Sequence, residues 1–248
     1  MTNLSKSVEK IEAIKETQVA TEAAMQAVID YLKSSDQPSS EVAHEIIDSV
    51  LAEHNCESPE GHIVASGKQS AEPHEHGRGL IGKGEPVVID IFPRSKDTEY
   101  FADMSRTVCV GKPSSELQKM YDTVLAVQEM AISMVKPGVK CVDIQVAAEN
   151  FFQEAGFETS GVGKEFKYAE GFVHSIGHGV GKDIHEEPFL TKKSDLVLKE
   201  GDVITIEPGL YYKDIGGIRL EDLILVTADG YENLTNFPKK LNIGQQKN

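Results

Sequence analysis

The feature that most constrains the fold is an internal repeat, in which two segments of equal length follow the same plan. The segments are "KGEPVVIDIFPRSKDTEYFADMSRTVCVG" at 83–111 and "KEGDVITIEPGLYYKDIGGIRLEDLILVT" at 199–227. Each runs from a glycine through a short β-branched stretch to a carboxylate, Asp90 or Glu207, six residues after that glycine. A second β-rich run then carries Asp103 or Glu221, 13 or 14 residues further on. Apolar runs separated by turn-rich sequence predict two similar β-hairpins.

Two stretches with apolar residues at helical spacing precede each hairpin. They are 7–32 and 40–55 in the first half, and in the second half one stretch from Ser115 and another from Asp143 to Gly156. We expect Ser40, Ser115 and Asp143 to cap three of these helices. The sequence therefore predicts an α+β fold. A duplicated αα–ββ unit would form a single domain over 1–248, with a curved antiparallel sheet and helices on its outer face.

The charge and cysteine content narrow the class of protein. Acidic residues outnumber basic ones by 40 to 25, a formal charge of −15. This balance argues against a nucleic-acid or anionic-membrane partner, because both need a basic surface. Cys56, Cys109 and Cys141 are widely spaced, which is typical of reduced thiols. The N-terminal stretch is charged, and no apolar run reaches the length of a membrane span. We expect a soluble cytoplasmic protein.

The four hairpin carboxylates are candidates for one shared site. Residues on the same face of neighbouring strands point the same way, so the two carboxylates of each hairpin can converge. A pseudo-twofold pairing of the halves would bring all four together. Four partly buried carboxylates cannot all stay ionised without positive charge nearby. Arg106 and Arg219 could each offset one charge, whereas two divalent cations would offset all four.

A histidine-rich stretch, "HSIGHGVGKDIHEEP" at 174–188, could complete such a site. His178 stands between Gly177 and Gly179, where another backbone can approach closely, and is the expected nitrogen ligand. Oxygen ligands with one imidazole suit Mn²⁺, Co²⁺, Fe²⁺ or Zn²⁺ better than Ca²⁺ or Mg²⁺. His174 and His185 are then available for proton transfer.

Competing interpretations of the same stretch fail on individual residues. "GVGK" is followed by Asp183 where a phosphate-binding P-loop has serine or threonine, and "HSIGH" has Ser175 where the zinc motif HExxH has glutamate. His44, His54 and His62 have no comparable neighbours in the sequence, and we expect them to be surface or helix residues.

Taken together, "VVIDI", "ADMSRT", "HSIGHGVGKDIHEEP", "VITIEPGLY" and "GIRLEDL" resemble the motifs of the pita-bread metallopeptidases. That superfamily includes aminopeptidase P, prolidase, methionine aminopeptidase and creatinase. The resemblance covers almost the whole chain. It implies the pita-bread fold and hydrolysis of a peptide bond by metal-activated water.

The resemblance also implies a role for each matching residue. The ligands of two divalent metal ions would be Asp90, Asp103, His178, Glu207 and Glu221, with Asp103 and Glu221 bridging both ions. The catalytic residues would be Glu207 as general base, together with His74, His174 and His185, which would contact the substrate or transition state.

Two arginines favour one branch of the superfamily. Arg106 in "ADMSRT" and Arg219 in "GIRLED" are similar to the arginines of Xaa-Pro peptidases. This resemblance implies a peptide substrate. We expect Mn²⁺ as the metal. Xaa-Pro enzymes usually carry a further N-terminal domain, for which this sequence offers no counterpart. Activity like that of methionine aminopeptidase, hydrolysis of a non-peptide amide and a non-catalytic binding module stay open as alternatives. A homodimer also stays open.

Overall fold

The computed structural model describes residues 6–159 and 170–244. We call residues 6–111 the first half and residues 112–244 the second half. The helices are α1 Val8–Ser34, α2 Ser40–Glu53, α3 Ser115–Ser133 and α4 Cys141–Glu154, with a short 3-10 helix at Gly67–Ala71. The strands of the first half are β1 Cys56–Glu57, β2 Ile63–Ser66, β3 Pro86–Ile91, β4 Arg94–Ser95 and β5 Met104–Cys109. Those of the second are β6 Gly177–Gly179, β7 Glu186–Leu190, β8 Val203–Ile206, β9 Gly209–Tyr212, β10 Gly216–Arg219, β11 Asp222–Val226 and β12 Tyr231–Asn233.

The four predicted helices are present, but their first residues differ from the prediction. The side chains of Ser39 and Ser114 accept backbone hydrogen bonds at the starts of α2 and α3, so each cap lies one residue before the predicted serine. Asp143 lies within the first turn of α4 and does not cap it. That helix begins at Cys141, whose N–H donates to the carbonyl of Leu196.

Both predicted hairpins form within antiparallel sheets. In the first half, β3 lies between β2 and β5. In the second half, β8 pairs with β11 in a five-stranded sheet of order β12-β11-β8-β6-β7. The additional strands β6 and β7 contain part of the histidine-rich stretch. Strands β9 and β10 form a separate hairpin between β8 and β11.

Each helix pair packs on the hairpin of its own half. One apolar cluster joins α1 and α2 to β3 and β5, with Val28, Leu32 and Ile89 at 0% exposure. A larger cluster joins α3 and α4 to the strands of the second half. The helices thus bury one apolar face each, which accounts for their periodicity.

All three cysteines are buried thiols. Within the described ranges, no helix has the length and apolarity needed to cross a membrane.

Candidate active site

The aspartates of the first half project from one face of the β3–β5 pair. Asp90 lies in β3 directly opposite Ser105 of β5. Asp103 is two residues before Ser105, and side chains alternate along extended chain, so Asp103 lies on the same face as Asp90. Both side chains are buried, with Asp103 only 4% exposed.

The glutamates of the second half lie at the ends of β8 and β11. Ile206 pairs with Asp222, so Glu207 and Glu221 are the next residues facing each other across the two strands. The N–H of Glu221 donates to the carbonyl of Ser105 at 3.0 Å. This bond joins the second hairpin to the first at the level of the carboxylates, and the four hairpin carboxylates meet at this junction.

Glycines on both sides of His178 allow β6 to lie close to its neighbours. A β-carbon on Gly177 would collide with the carbonyl oxygen of Thr205 in β8. One on Gly179 would lie 2.6 Å from the carbonyl oxygen of Glu187 in β7. A larger residue at either position would push β6 away, and with it the His178 ring.

The His178 ring is oriented towards the carboxylates. Its Nδ1 is 3.1 Å from the carbonyl oxygen of Gly179 and therefore carries the proton in that hydrogen bond. Its Nε2, with a lone pair, lies 3.4 Å from Glu207 and 3.7 Å from Asp103. A hydrogen bond from one ring nitrogen to a carbonyl is the usual way in which a metal-binding histidine is held in position.

The protein environment disfavours charge on these groups. Burial, followed by repulsion from Asp90, raises the pKa of Glu221 to about 8. Burial and the nearby charge of Glu221 raise the pKa values of Asp103 and Glu207 well above their ordinary range. Burial and a second histidine lower the pKa of His178 to about 3. Burial therefore favours the neutral forms of these carboxyl groups and of the imidazole unless positive charge is brought to them.

Several features of this site fit divalent cations. Among the described residues, Oδ1 of Asp90 and Oδ1 of Asp103 are buried and have no hydrogen-bond donor. One ligand atom each of Asp103, His178 and Glu221 lies within 4.8 Å of the other two. Buried lone pairs without donors are costly, and a cation would satisfy them. Carboxylates with a single imidazole suit a transition-metal ion.

Arg219 connects the acidic cluster to a second set of polar groups. Its guanidinium donates to Asp90 at 2.7 Å, to the Ser105 hydroxyl at 2.8 Å and to the Tyr211 hydroxyl at 2.9 Å. The Tyr211 hydroxyl lies 3.0 Å from Nε2 of His174. A continuous chain of hydrogen bonds therefore runs from Asp90 to His174.

The proton positions along this chain follow from its ends. Nδ1 of His174 lies 2.8 Å from the carbonyl oxygen of Ser175, so Nδ1 donates and Nε2 accepts from Tyr211. Burial and the positive charge of Arg219 lower the pKa of His174 to about 3. His174 is therefore neutral, with both ring nitrogens hydrogen-bonded.

His185 and His74 approach from other elements. The ring of His185, between β6 and β7, lies with its centroid 4.3 Å from that of His178. His74 follows the 3-10 helix, next to Pro73, whose carbonyl accepts a hydrogen bond from Arg219 at 3.2 Å. Burial, then the charge of Arg219, lowers the pKa of His74.

All eight predicted site residues line one cavity of about 740 Å³. They are His74, Asp90, Asp103, His174, His178, His185, Glu207 and Glu221. Apolar side chains, including Ile63, Phe92, Ile184 and Phe189, line other parts of the wall. The cavity thus combines an acidic floor with apolar walls that could hold a small organic group.

Three expectations need correction or addition. Arg106 does not pair with a hairpin carboxylate: it forms a buried ion pair with Asp222 at 2.9 Å, because its strand position points it away from the cavity. His62 is only 5% exposed and stacks on His44, so it is not a surface residue. Tyr211 was missed, although "GLYY" directly follows Glu207-Pro208 and an aromatic pair there could have indicated a site residue.

Comparison with known proteins identifies the family. The model of metallopeptidase family M24 matches residues 12–228. The chain belongs to this family. The Xaa-Pro dipeptidase of Pyrococcus furiosus is 35% identical over 239 residues, which cover 95% of this chain and 64% of that protein. The Xaa-Pro dipeptidase of Pyrococcus horikoshii is 36% identical with the same coverage.

Solved structures agree with this assignment. The prolidase of Pyrococcus horikoshii OT3 superposes with a TM-score of 0.86 at 33% identity, over 96% of this chain and 65% of that one. The X-Pro aminopeptidase of Thermotoga maritima superposes with a TM-score of 0.84 at 29% identity, over 96% and 64%. The pita-bread fold and the family resemblance are therefore confirmed. The chain spans just under two thirds of the length of these curated relatives.

Proposed function

We propose that this chain is a peptidase with two divalent metal ions, which cleaves Xaa-Pro peptides or dipeptides and so removes an N-terminal residue. The observation that carries the proposal is the convergence of eight predicted side chains on one cavity. Four of them are carboxylates whose burial is unfavourable without cations. Membership of a metallopeptidase family supports a divalent metal at this position.

The proposed ligands follow from the residues that meet at the junction of the halves. Two ions would be held by Asp90, Asp103, His178, Glu207 and Glu221. When bound, the ions would supply Lewis-acid polarisation of the scissile carbonyl and a water molecule of lowered pKa. The positive charge would also allow the four carboxyl groups to ionise together.

The remaining chemistry belongs to side chains of the chain itself. Glu207, whose side chain keeps 15% exposure, would accept the proton of the attacking water. His185, beside His178, would donate a hydrogen bond to the oxygen that gains negative charge. His74 would hydrogen-bond the substrate amide and help the amine to leave. Because both nitrogens of His174 are already bonded, it would act through the Tyr211 hydroxyl by holding the Arg219 guanidinium, which lines the cavity.

The preference for proline is supported by the relatives. The relatives that match nearly the whole chain include Xaa-Pro dipeptidases and an X-Pro aminopeptidase. Activity like that of methionine aminopeptidase and a non-catalytic role are not favoured by these relatives. The apolar part of the cavity wall would accommodate a pyrrolidine ring.

A peptide panel tests the proposal. Protein treated with a chelator and reloaded with Mn²⁺ is assayed against Ala-Pro, Met-Ala and Leu-Gly. We expect cleavage of Ala-Pro, no activity in the chelated protein, and recovery with Mn²⁺ or Co²⁺. Preferential cleavage of Met-Ala would replace the Xaa-Pro assignment, and inactivity towards all three peptides after confirmed metal loading would refute the proposal for this chain.

The proposal includes four further points. Mn²⁺ is the proposed native ion, which metal analysis of protein purified without added metal would test. The chain is proposed to form a single domain, which calorimetry would test by looking for a single cooperative unfolding transition. The proposed assembly is a homodimer, which light scattering would test. The proposed compartment is the cytoplasm, which cell fractionation would test.

A further inference from the structure

One buried side chain of α4 contacts the segment that carries His174 and His178. Oε1 of Gln145 accepts a hydrogen bond from the N–H of Ile176 at 2.7 Å, and Gln145 is only 1% exposed. Ile176 lies midway between the two histidines in sequence. Its carbonyl accepts from the N–H of Glu207 at 2.8 Å. Both backbone groups of Ile176 are therefore engaged, one with the helix and one with the proposed general base.

The Gln145 amide is itself fixed from behind. Its Nε2 donates to Glu149, one turn further along α4, at 2.9 Å. The Glu149 side chain is 6% exposed and is ion-paired with Lys192, just after β7. A carboxylate can only accept, so the amide nitrogen must face Glu149 and the amide oxygen must face Ile176. The orientation of Gln145 is therefore determined by its contacts.

We propose that Gln145 is a positioning residue for the metal centre. Through Ile176 it sets the place of His178 relative to Glu207, two groups that lie 3.4 Å apart. An amide suits this position because it accepts from a buried N–H and donates to a buried carboxylate while remaining neutral. The inference rests on the proposed function in taking His178 and Glu207 as metal ligands.

The first test removes the amide. Gln145→Leu keeps a similar volume but leaves the N–H of Ile176 and the carboxylate of Glu149 without this partner. We expect Mn²⁺ affinity, measured by calorimetric titration of the metal-free protein, to fall about 10-fold to 100-fold, as for other residues that orient metal ligands. The matched control is Gln153→Leu on the exposed side of the same helix, where the side chain bonds Thr159. This control should keep wild-type affinity.

The second test asks for rescue. Gln145→Glu retains an acceptor for Ile176 but sets a carboxylate against Glu149, so Mn²⁺ should bind more weakly than in the wild type. Adding Glu149→Gln restores one donor and one acceptor between the two side chains. The double variant should therefore recover most of the Mn²⁺ affinity that the single variant loses. A general loss of helix stability would give no such recovery.

Two outcomes would overturn the inference. One is wild-type Mn²⁺ affinity in Gln145→Leu. The other is a double variant that binds Mn²⁺ no more tightly than Gln145→Glu alone, a comparison that also decides the matter if Gln145→Leu does not fold. Because the readout is Mn²⁺ affinity, it is separate from the peptide panel. Tight metal binding without peptide cleavage would refute the proposed function, whereas the affinity comparison would still decide the role of Gln145.

Discussion

The two halves of the molecule share one plan but contribute differently to the cavity. Each supplies a helix pair, a hairpin and two carboxylates. In the first half the two aspartates are diagonal neighbours across β3 and β5, whereas the two glutamates of the second half face each other across β8 and β11. Only the second half adds β6 and β7, which bring an imidazole to the carboxylates. The comparison indicates that a repeated scaffold can be kept while one copy brings a chemically different side chain, the imidazole of His178, to the carboxylates.

The buried arginines differ in the same way. Arg106 of the first half reaches Asp222 of the second, and Arg219 of the second reaches Asp90 of the first. Both therefore link the halves across their junction. Arg106 is enclosed by backbone carbonyls, including that of Phe237, whereas Arg219 lines the cavity. One cross-link thus serves packing, and the other also belongs to the candidate site.

The largest expected effect separates the carboxylates of the two halves. Glu207→Gln cannot accept a proton, so we expect kcat to fall about 10⁴-fold, the upper end for a general base. Asp90→Asn should weaken metal binding but leave the base in place, so its activity should recover in part at high Mn²⁺ concentration. Activity and metal content are measured across a Mn²⁺ titration. Equal recovery of both variants would contradict the division of roles.

The histidines of the second half should give the next largest effect. His174→Ala and His185→Ala should each retain metal, because neither is a proposed ligand, while kcat falls about 10²-fold to 10⁴-fold. His54→Ala is the control: His54 is exposed at the end of α2 in the first half, and its variant should match the wild type. A His174→Ala, His185→Ala double variant with near wild-type kcat would show these residues to be uninvolved.

Substituting each buried arginine tests whether the two cross-links differ in function. Removing one partner of a buried ion pair costs about 3–5 kcal/mol, so Arg106→Met and Arg219→Met should both lower the free energy of urea unfolding. In Arg106→Met, Lys239 still pairs with Asp222, so the loss of unfolding free energy should lie at the lower end of this range. Only Arg219→Met should also reduce kcat in folded, metal-loaded protein. A comparable fall in kcat for Arg106→Met would remove the distinction.

The sequence predicts the repeated plan better than the details around it. The carboxylate spacings and β-branched runs predict two hairpins, and the registers of β3 with β5 and of β8 with β11 place the two carboxylates of each hairpin near each other. The side chains that contact each other from different elements depend on how the two halves pack together, and no local sequence pattern encodes that packing. Arg106 and Asp222 are 116 residues apart, and the bond from Gln145 to Ile176 spans 31. Such contacts need the tertiary structure.

The smallest effect concerns pH in the metal-free protein. The pKa values of His174 and His178 are lowered to about 3 in the folded protein. Both histidines therefore bind fewer protons folded than unfolded, and stability rises with pH until it approaches the pKa of an unfolded histidine, about 6.5. Glu221, with a pKa raised to about 8, binds more protons folded than unfolded, so stability falls as pH rises towards 8. Asp103 and Glu207 shift in the same direction as Glu221.

Between pH 6.5 and 8 the two histidines add little further stability, because they are already at least half deprotonated when unfolded, so the carboxyl groups determine the sign. Urea unfolding of chelator-treated protein should show a loss of at least about 1–2 kcal/mol across this window, the share of Glu221 alone, since each pH unit is worth about 1.36 kcal/mol per group. Saturating Mn²⁺ should remove the loss, because bound cations keep the carboxylates ionised in the folded state. Metal-free protein whose stability rises from pH 6.5 to 8 would contradict the burial of protonated carboxyl groups at the junction of the halves.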